Sequence, residues 1–161
     1  MRAAVIGVGY LGRFHAQKYK ALEDVQLIGV SDLRPERGNE IARELDVPFF
    51  PDYRSLKGQV DAVTIAASTQ SHFEIAKFFL ENGVSVFVEK PMTVTTSQAE
   101  ELCKIAAKNN LILQVGHVER FNPALVSAAK VLKRPLFIEV HRLAPFTPRG
   151  ADVDVVLDLM I

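Results

Sequence analysis

Short, continuous apolar runs alternate along this chain with longer segments whose apolar residues recur at helical spacing. Residues 3–6 (Ala-Ala-Val-Ile) form the first such run, as expected of a strand buried on both faces. The same reading gives strands over 25–30, 47–50, 62–66, 84–88 and 111–115. Between them, helices are expected over 11–22, 35–45, 71–81 and 97–108. Pro35 suits a first helical turn, Asn82-Gly83 a helix stop, and Thr96 or Ser97 an N-cap. Strand and helix joined by short connections predict an α/β fold: a Rossmann-type, doubly wound parallel sheet with right-handed crossovers.

After Gly116 the pattern changes. Residues 122–133 read as a helix, and 136–143 alternate in part (Phe137, Glu139, His141), as a half-solvated strand of a second sheet does. A domain boundary is therefore expected between 116 and 121. It separates a dinucleotide-binding domain over 1–118 from the truncated start of an α+β domain over 119–161, which is too short to bury a core of its own.

Composition narrows the classes without choosing among them. With 161 residues, 48% apolar and 24% charged, the chain has the make-up of an ordinary globular domain. Lysine plus arginine equal aspartate plus glutamate at 19 each, so charge gives no argument for nucleic acid or an anionic membrane. The single Cys103 excludes an intrachain disulfide and a multi-cysteine zinc site, and the four histidines lack metal-ligand spacing, so no metal is expected. No apolar run approaches membrane-spanning length, and the N-terminus enters a strand pattern at once, so a cytoplasmic setting is expected.

The chemistry lies at strand ends. Gly7-x-Gly9-x-x-Gly12 follows the first strand and opens the first helix, the context a dinucleotide fingerprint requires. Gly7 permits the turn, Gly9 lets backbone approach a pyrophosphate, and Gly12 allows helix and strand to pack closely. Tyr10 and Leu11 lie at the helix N-terminus that would receive the phosphates. Asp32, at the tip of the second strand, is placed to accept hydrogen bonds from ribose hydroxyls, which favours NAD; Arg34 beside it leaves NADP open. Ala67 and Ser68 follow the fourth strand and face the same crevice, where Ser68 serves either the cofactor or the next helix as a cap. Glu89-Lys90-Pro91 ends the strand over 84–88. A lysine there stabilises a developing alkoxide as a cation or accepts a proton as an amine. His117 and Arg120 follow the last strand, as substrate contacts or as part of a boundary salt bridge.

Gly7-x-Gly9-x-x-Gly12-x-x-His15, His72, Glu89-Lys90-Pro91 and Asp158 together resemble the Gfo/Idh/MocA family of sugar and cyclitol oxidoreductases. The resemblance covers essentially the whole chain. It implies hydride transfer from a secondary hydroxyl of a sugar or sugar nucleotide to a nicotinamide cofactor. It places Lys90 at the reacting hydroxyl, with Asp158 supporting an acid/base histidine one turn later. Gly7, Gly9, Tyr10, Leu11, Gly12, Asp32, Arg34, Ala67, Ser68, His72, Glu89 and Lys90 fall around the cofactor; the resemblance implies a cis Lys90-Pro91 bond, against the trans bond that is the prior for any X-Pro. Family members usually associate, so a homo-oligomer is expected of the full-length protein. Ala67-Ser68 departs from the Thr-Pro many members carry. The segments 116–123 and 141–146 are similar to the branch of UDP-N-acetylglucosamine 3-dehydrogenases. Because the sequence stops at Ile161, inside an apolar segment, a piece of a longer enzyme is expected, able to bind NAD(H) but poor in turnover. The alternative is a non-catalytic dinucleotide-binding sensor or interaction module.

Overall fold

The computed structural model describes residues 1–141. Six parallel strands form one sheet: β1 (Arg2–Ile6), β2 (Gln26–Ser31), β3 (Phe49–Phe50), β4 (Ala62–Ile65), β5 (Ser85–Val88) and β6 (Leu113–Val115). Their spatial order is β3-β2-β1-β4-β5-β6, the doubly wound arrangement in which the chain reverses its direction of travel between β1 and β4. Helices α1 (Tyr10–Ala21) and α2 (Pro35–Leu45) follow β1 and β2, while α3 (Thr69–Glu81) and α4 (Thr96–Lys108) follow β4 and β5.

Strand residues face two separate cores because side chains alternate across a sheet. Val5, Val8, Leu27 and Val30 pack with Ala16, Ile41, Ala42 and Leu45 of α1 and α2. Ala4, Ile6, Val63, Ile65, Val86 and Val88 pack with Ile75, Phe79, Leu80, Leu102 and Ala106 of α3 and α4. Buried strand residues on both faces explain why the runs read as continuous rather than alternating. Tyr19 reaches from α1 across the sheet to the buried Thr64 of β4, with 2.6 Å between hydroxyls. Space for β3 comes from glycine: a Cβ on Gly38 of α2 would lie 2.0 Å from the Phe49 ring.

Several boundaries move for local reasons. The strand expected over 47–50 starts at Phe49, because Val47 N–H donates to Ala42 at the end of α2 and Pro48 has no N–H to give. Leu111 N–H likewise donates to Ala106, which delays β6. The N-cap of α4 is Thr95 rather than Thr96 or Ser97; its hydroxyl takes the Gln98 N–H while the Gln98 side chain takes the Thr95 N–H. Asn82 and Gly83, the latter at φ +77°, do end α3.

Past the sheet, a short 3-10 turn (Val118–Phe121) leads to α5 (Pro123–Ala129), capped by Asn122, whose side-chain oxygen accepts the Ala124 N–H. This helix is shorter than the one expected over 122–133. The strand expected over 136–143 is not formed through residue 141, and 142–143 lie outside the described residues. Alternation alone does not make a strand. A ladder needs a neighbour to take its N–H and C=O groups, and none of the described residues pairs with this segment.

Candidate functional site

The carboxyl ends of β1 and β4 meet at the point where strand order reverses, which in an open α/β sheet opens a crevice. Glycines shape one wall. Gly7 sits at φ +82°, and a Cβ there would come within 2.6 Å of the Ala67 nitrogen. A Cβ on Gly12 would lie 1.8 Å from the Gly7 carbonyl oxygen, so α1 packs onto its own turn only as glycine. A Cβ on Gly9 would meet nothing closer than Arg34 Nη2 at 3.9 Å. The backbone is therefore bare at Gly9, where α1 begins with no side-chain cap and no acidic residue in its first turn. This is a cradle for an anion at a helix N-terminus, and it fits a dinucleotide pyrophosphate.

Asp32 lies at the tip of β2 with its side chain 8% exposed. It already accepts the Val8 N–H on Oδ2 at 2.8 Å and the Arg34 N–H on Oδ1 at 2.9 Å. Each oxygen keeps a second lone-pair direction for a hydroxyl. Arg34 Nε stands 3.5 Å from Oδ1, and the Arg34 side chain is largely exposed. Arg37, which sequence reasoning passed over, donates through Nε to the Val8 carbonyl at 2.8 Å and through Nη2 to the Gly9 carbonyl at 3.4 Å. The two peptide groups flanking the Val8 side chain are thus both held, the N–H of Val8 by Asp32 and its C=O by Arg37. The only trace of this in sequence is a basic residue in the first turn of the second helix.

The opposite wall belongs to β4 and β5. Ser68 is the positional N-cap of α3 but bonds no backbone N–H; its hydroxyl lies 3.1 Å from that of Ser71. His72, one turn into α3 and 1% exposed, reaches back with Nε2 at 3.1 Å from the Ala67 oxygen and Nδ1 at 2.9 Å from the Pro91 oxygen. The Lys90-Pro91 peptide is cis. Lys90 is half-buried at the end of β5.

Glu89 makes the contact least legible beforehand. Its Oε1 lies 2.7 Å from His15 Nε2, across 74 positions, with the side chains 14% and 25% exposed. The His15 ring rests against Phe87, centroids 5.3 Å apart. Gly116, at the end of β6, makes room for the carboxylate: a Cβ there would sit 3.0 Å from Glu89 Cδ. His15 thus ties α1 to the lysine turn. The spacing Gly12-x-x-His15 placed it one turn along α1, but nothing in it named the partner.

Tyr10, two-thirds exposed, meets Phe14 edge to face at 5.3 Å, and Leu11 is half-buried. His117 and Arg120 flank the 3-10 turn after β6 and are exposed; among the described residues neither side chain makes a hydrogen bond or ion pair, so the boundary salt bridge is not formed. Asp158 lies outside the described residues. No helix among the described residues is long and apolar enough to cross a membrane.

Comparison with known proteins bears on this arrangement. Residues 1–117 match the Gfo/Idh/MocA oxidoreductase family, described as having an NAD-binding Rossmann fold. The UDP-N-acetylglucosamine 3-dehydrogenase of Acidithiobacillus ferrooxidans is 45% identical over 162 residues, covering 100% of this chain and 51% of that protein. Its solved structure superposes with a TM-score of 0.91 over 99% of this chain and 52% of that one. The scyllo-inositol 2-dehydrogenase (NAD(+)) of Bacillus subtilis is 32% identical over 134 residues, 81% of this chain and 39% of the relative. GenD2 from gentamicin A biosynthesis, solved in complex with NAD, is 26% identical with a TM-score of 0.79, covering 81% of this chain and 38% of that chain. The chain spans about half the length of the first of these relatives and less of the others.

Proposed function

This chain belongs to the Gfo/Idh/MocA oxidoreductase family, and on that footing we propose that it is the cofactor half of an NAD-dependent dehydrogenase acting on a secondary hydroxyl of a UDP-sugar, with UDP-N-acetylglucosamine the leading candidate. One observation carries the reading: at the carboxyl end of the sheet, the bare glycine turn after β1 and Lys90 after β5 flank the loop after β4. The choice of a sugar nucleotide rests on the 45% identity over the whole chain to an enzyme named for that substrate.

Gly7, Gly9, Gly12 and the first turn of α1 would hold the pyrophosphate, with Tyr10 and Leu11 alongside. Asp32 would take the adenosine ribose, and Arg34 leaves a 2′-phosphate admissible. Ala67, Ser68 and Glu89 would line the nicotinamide side, with His72 buried behind the loop rather than in contact with the cofactor. Bound there, NAD supplies the hydride acceptor. Lys90 Nζ would donate a hydrogen bond to the reacting oxygen and stabilise the negative charge that grows on it as its proton leaves. Asp158 would belong to the acid/base group, and His117 and Arg120 would meet the substrate, Arg120 through its guanidinium at a phosphate. Residues 1–118 would form the dinucleotide domain and 119–161 the start of a second one. The protein would work in the cytoplasm as a homo-oligomer.

Two measurements test the reading. Titration with NADH should enhance and saturate nicotinamide fluorescence, and NADPH should bind more weakly; no saturation with either defeats the cofactor assignment. A panel of UDP-sugars and free polyols, followed by NADH absorbance in the protein carrying these residues, should show turnover with UDP-N-acetylglucosamine. Turnover with inositols alone would move the substrate to the other branch.

A further inference from the structure

The loop after β4 and the turn after β5 are joined by one buried side chain. Both partners of the His72 ring, the Ala67 and Pro91 oxygens, are peptide carbonyls, which accept hydrogen bonds and donate none. A neutral imidazole has one N–H and one lone pair. It satisfies one of these carbonyls and turns its lone pair on the other. Only the imidazolium, with a proton on each nitrogen, donates to both. At 1% exposure no bulk water is at hand to fill the gap.

The surroundings hold no alternative acceptor-donor arrangement. Among the described residues, the two carbonyls are the ring's hydrogen-bond partners. The loop 66–69 and the segment 91–95 contain no ionisable residue. On α3, Lys77 is paired with Glu101 of α4, and Glu74 makes no bond to the ring; in the gripped turn the charged residues are Glu89, committed to His15, and the cation Lys90, which precedes Pro91.

We propose that His72 acts as a buried imidazolium clamp, donating from both ring nitrogens to fix the loop after β4 against the Lys90-Pro91 turn and so set where Lys90 stands relative to the nucleotide crevice. It is a positioning residue. Its catalytic consequence rests on the reading of Lys90 given above; the clamp itself does not. Charge assistance makes both bonds the stronger kind. Loss of one proton leaves either the Ala67 or the Pro91 oxygen without its donor and slackens one side of the turn. The hold on Lys90 therefore depends on a proton located away from the reacting atoms.

Ring nitrogen NMR of the 161-residue chain reads this directly. Spectra would run from about pH 5 to about pH 9, spanning the range in which imidazoles change charge. At the acid end, in the folded protein, both His72 nitrogens should carry slowly exchanging protons. A ring in a single neutral tautomer there overturns the proposal. His72→Gln cannot carry the charge and cannot donate in both directions from a ring, and it should shift the backbone amide signals of Lys90 and Met92. Unmoved Lys90 and Met92 signals in that variant overturn the positioning role. Neither readout requires turnover. A His72 imidazolium persisting in an inert Lys90→Met variant would uphold the clamp whatever becomes of the role assigned to Lys90, while a neutral ring with Lys90 active would sink the clamp alone.

Discussion

Lys90, Asp32 and Glu89 each sit where a strand ends, yet they carry different burdens. Replacing Lys90 by Met removes the charge proposed to face the reacting oxygen while keeping the length of the side chain. Turnover should fall by about 10²–10⁴, the span usual for a positioned acid/base group, with NADH affinity nearly unchanged. Equal losses in both would assign Lys90 to the cofactor. Asp32 has a structural burden as well, since it takes the Val8 and Arg34 N–H groups. Asp32→Asn turns one acceptor oxygen into an amide donor facing one of those N–H groups. It should cost about 1–3 kcal/mol in urea unfolding as well as weakening NADH. A stability change near zero would leave Asp32 a ligand contact only. The acid at the tip of β2 was legible from its distance beyond the glycines. Its second task was not, because a spacing rule describes where a carboxylate stands and not which backbone groups it already serves. The His15–Glu89 pair was illegible for a related reason: its halves are brought together only by the crossover of α1 over a sheet whose strand order the sequence does not state.

At the level of elements, α1 is held to β1 by the absence of atoms. With 1.8 Å between a would-be Cβ at Gly12 and the Gly7 oxygen, Gly12→Ala must push the helix away from its turn. The expected cost reaches or exceeds the upper end of the roughly 1–3 kcal/mol usual for overpacking, and NADH binding should go with it. Chemical denaturation and fluorescence titration of the variant check both, and wild-type values would refute the packing argument. Elements bounded by glycine or Asn-Gly were readable because those residues end an element by their own geometry. Those bounded by a competing hydrogen bond were not: Val47 and Leu111 are good strand residues captured by the ends of α2 and α4. The segment 136–141 failed for want of a neighbour, a condition that lies outside the segment itself.

For the whole molecule, the amino ends of the two central strands are joined by charge. Arg2 at the start of β1 grips Asp61 before β4, with Nη2 2.6 Å from Oδ1, and this hydrogen bond holds the Asp61 carboxyl below its ordinary 3.8. A carboxylate whose folded value is depressed contributes fully above its unfolded value and loses that contribution as pH falls through the folded one. Asp61→Asn should therefore flatten the acid limb of the stability curve below about pH 4, with less effect in high salt because the pair is exposed. An unchanged acid limb would show that the pair contributes nothing. The two cores have a bearing on the order in which the molecule comes apart. Of the six strands, β1 alone supplies fully buried residues to both, Ala4 and Ile6 to one and Val5 to the other, while Ile28 of β2 and Phe50 of β3 join the first of these only half-buried; β1 is bonded to β2 on one side and β4 on the other. Either helical layer can peel away while the other still covers this strand. Amide hydrogens of β1 should accordingly be the slowest to exchange with deuterium, opening only when the molecule unfolds as a whole. The turn proposed to receive the nucleotide would then be anchored to the last part of the protein to yield, and a chain opened at the layer of α3 and α4 would still present it.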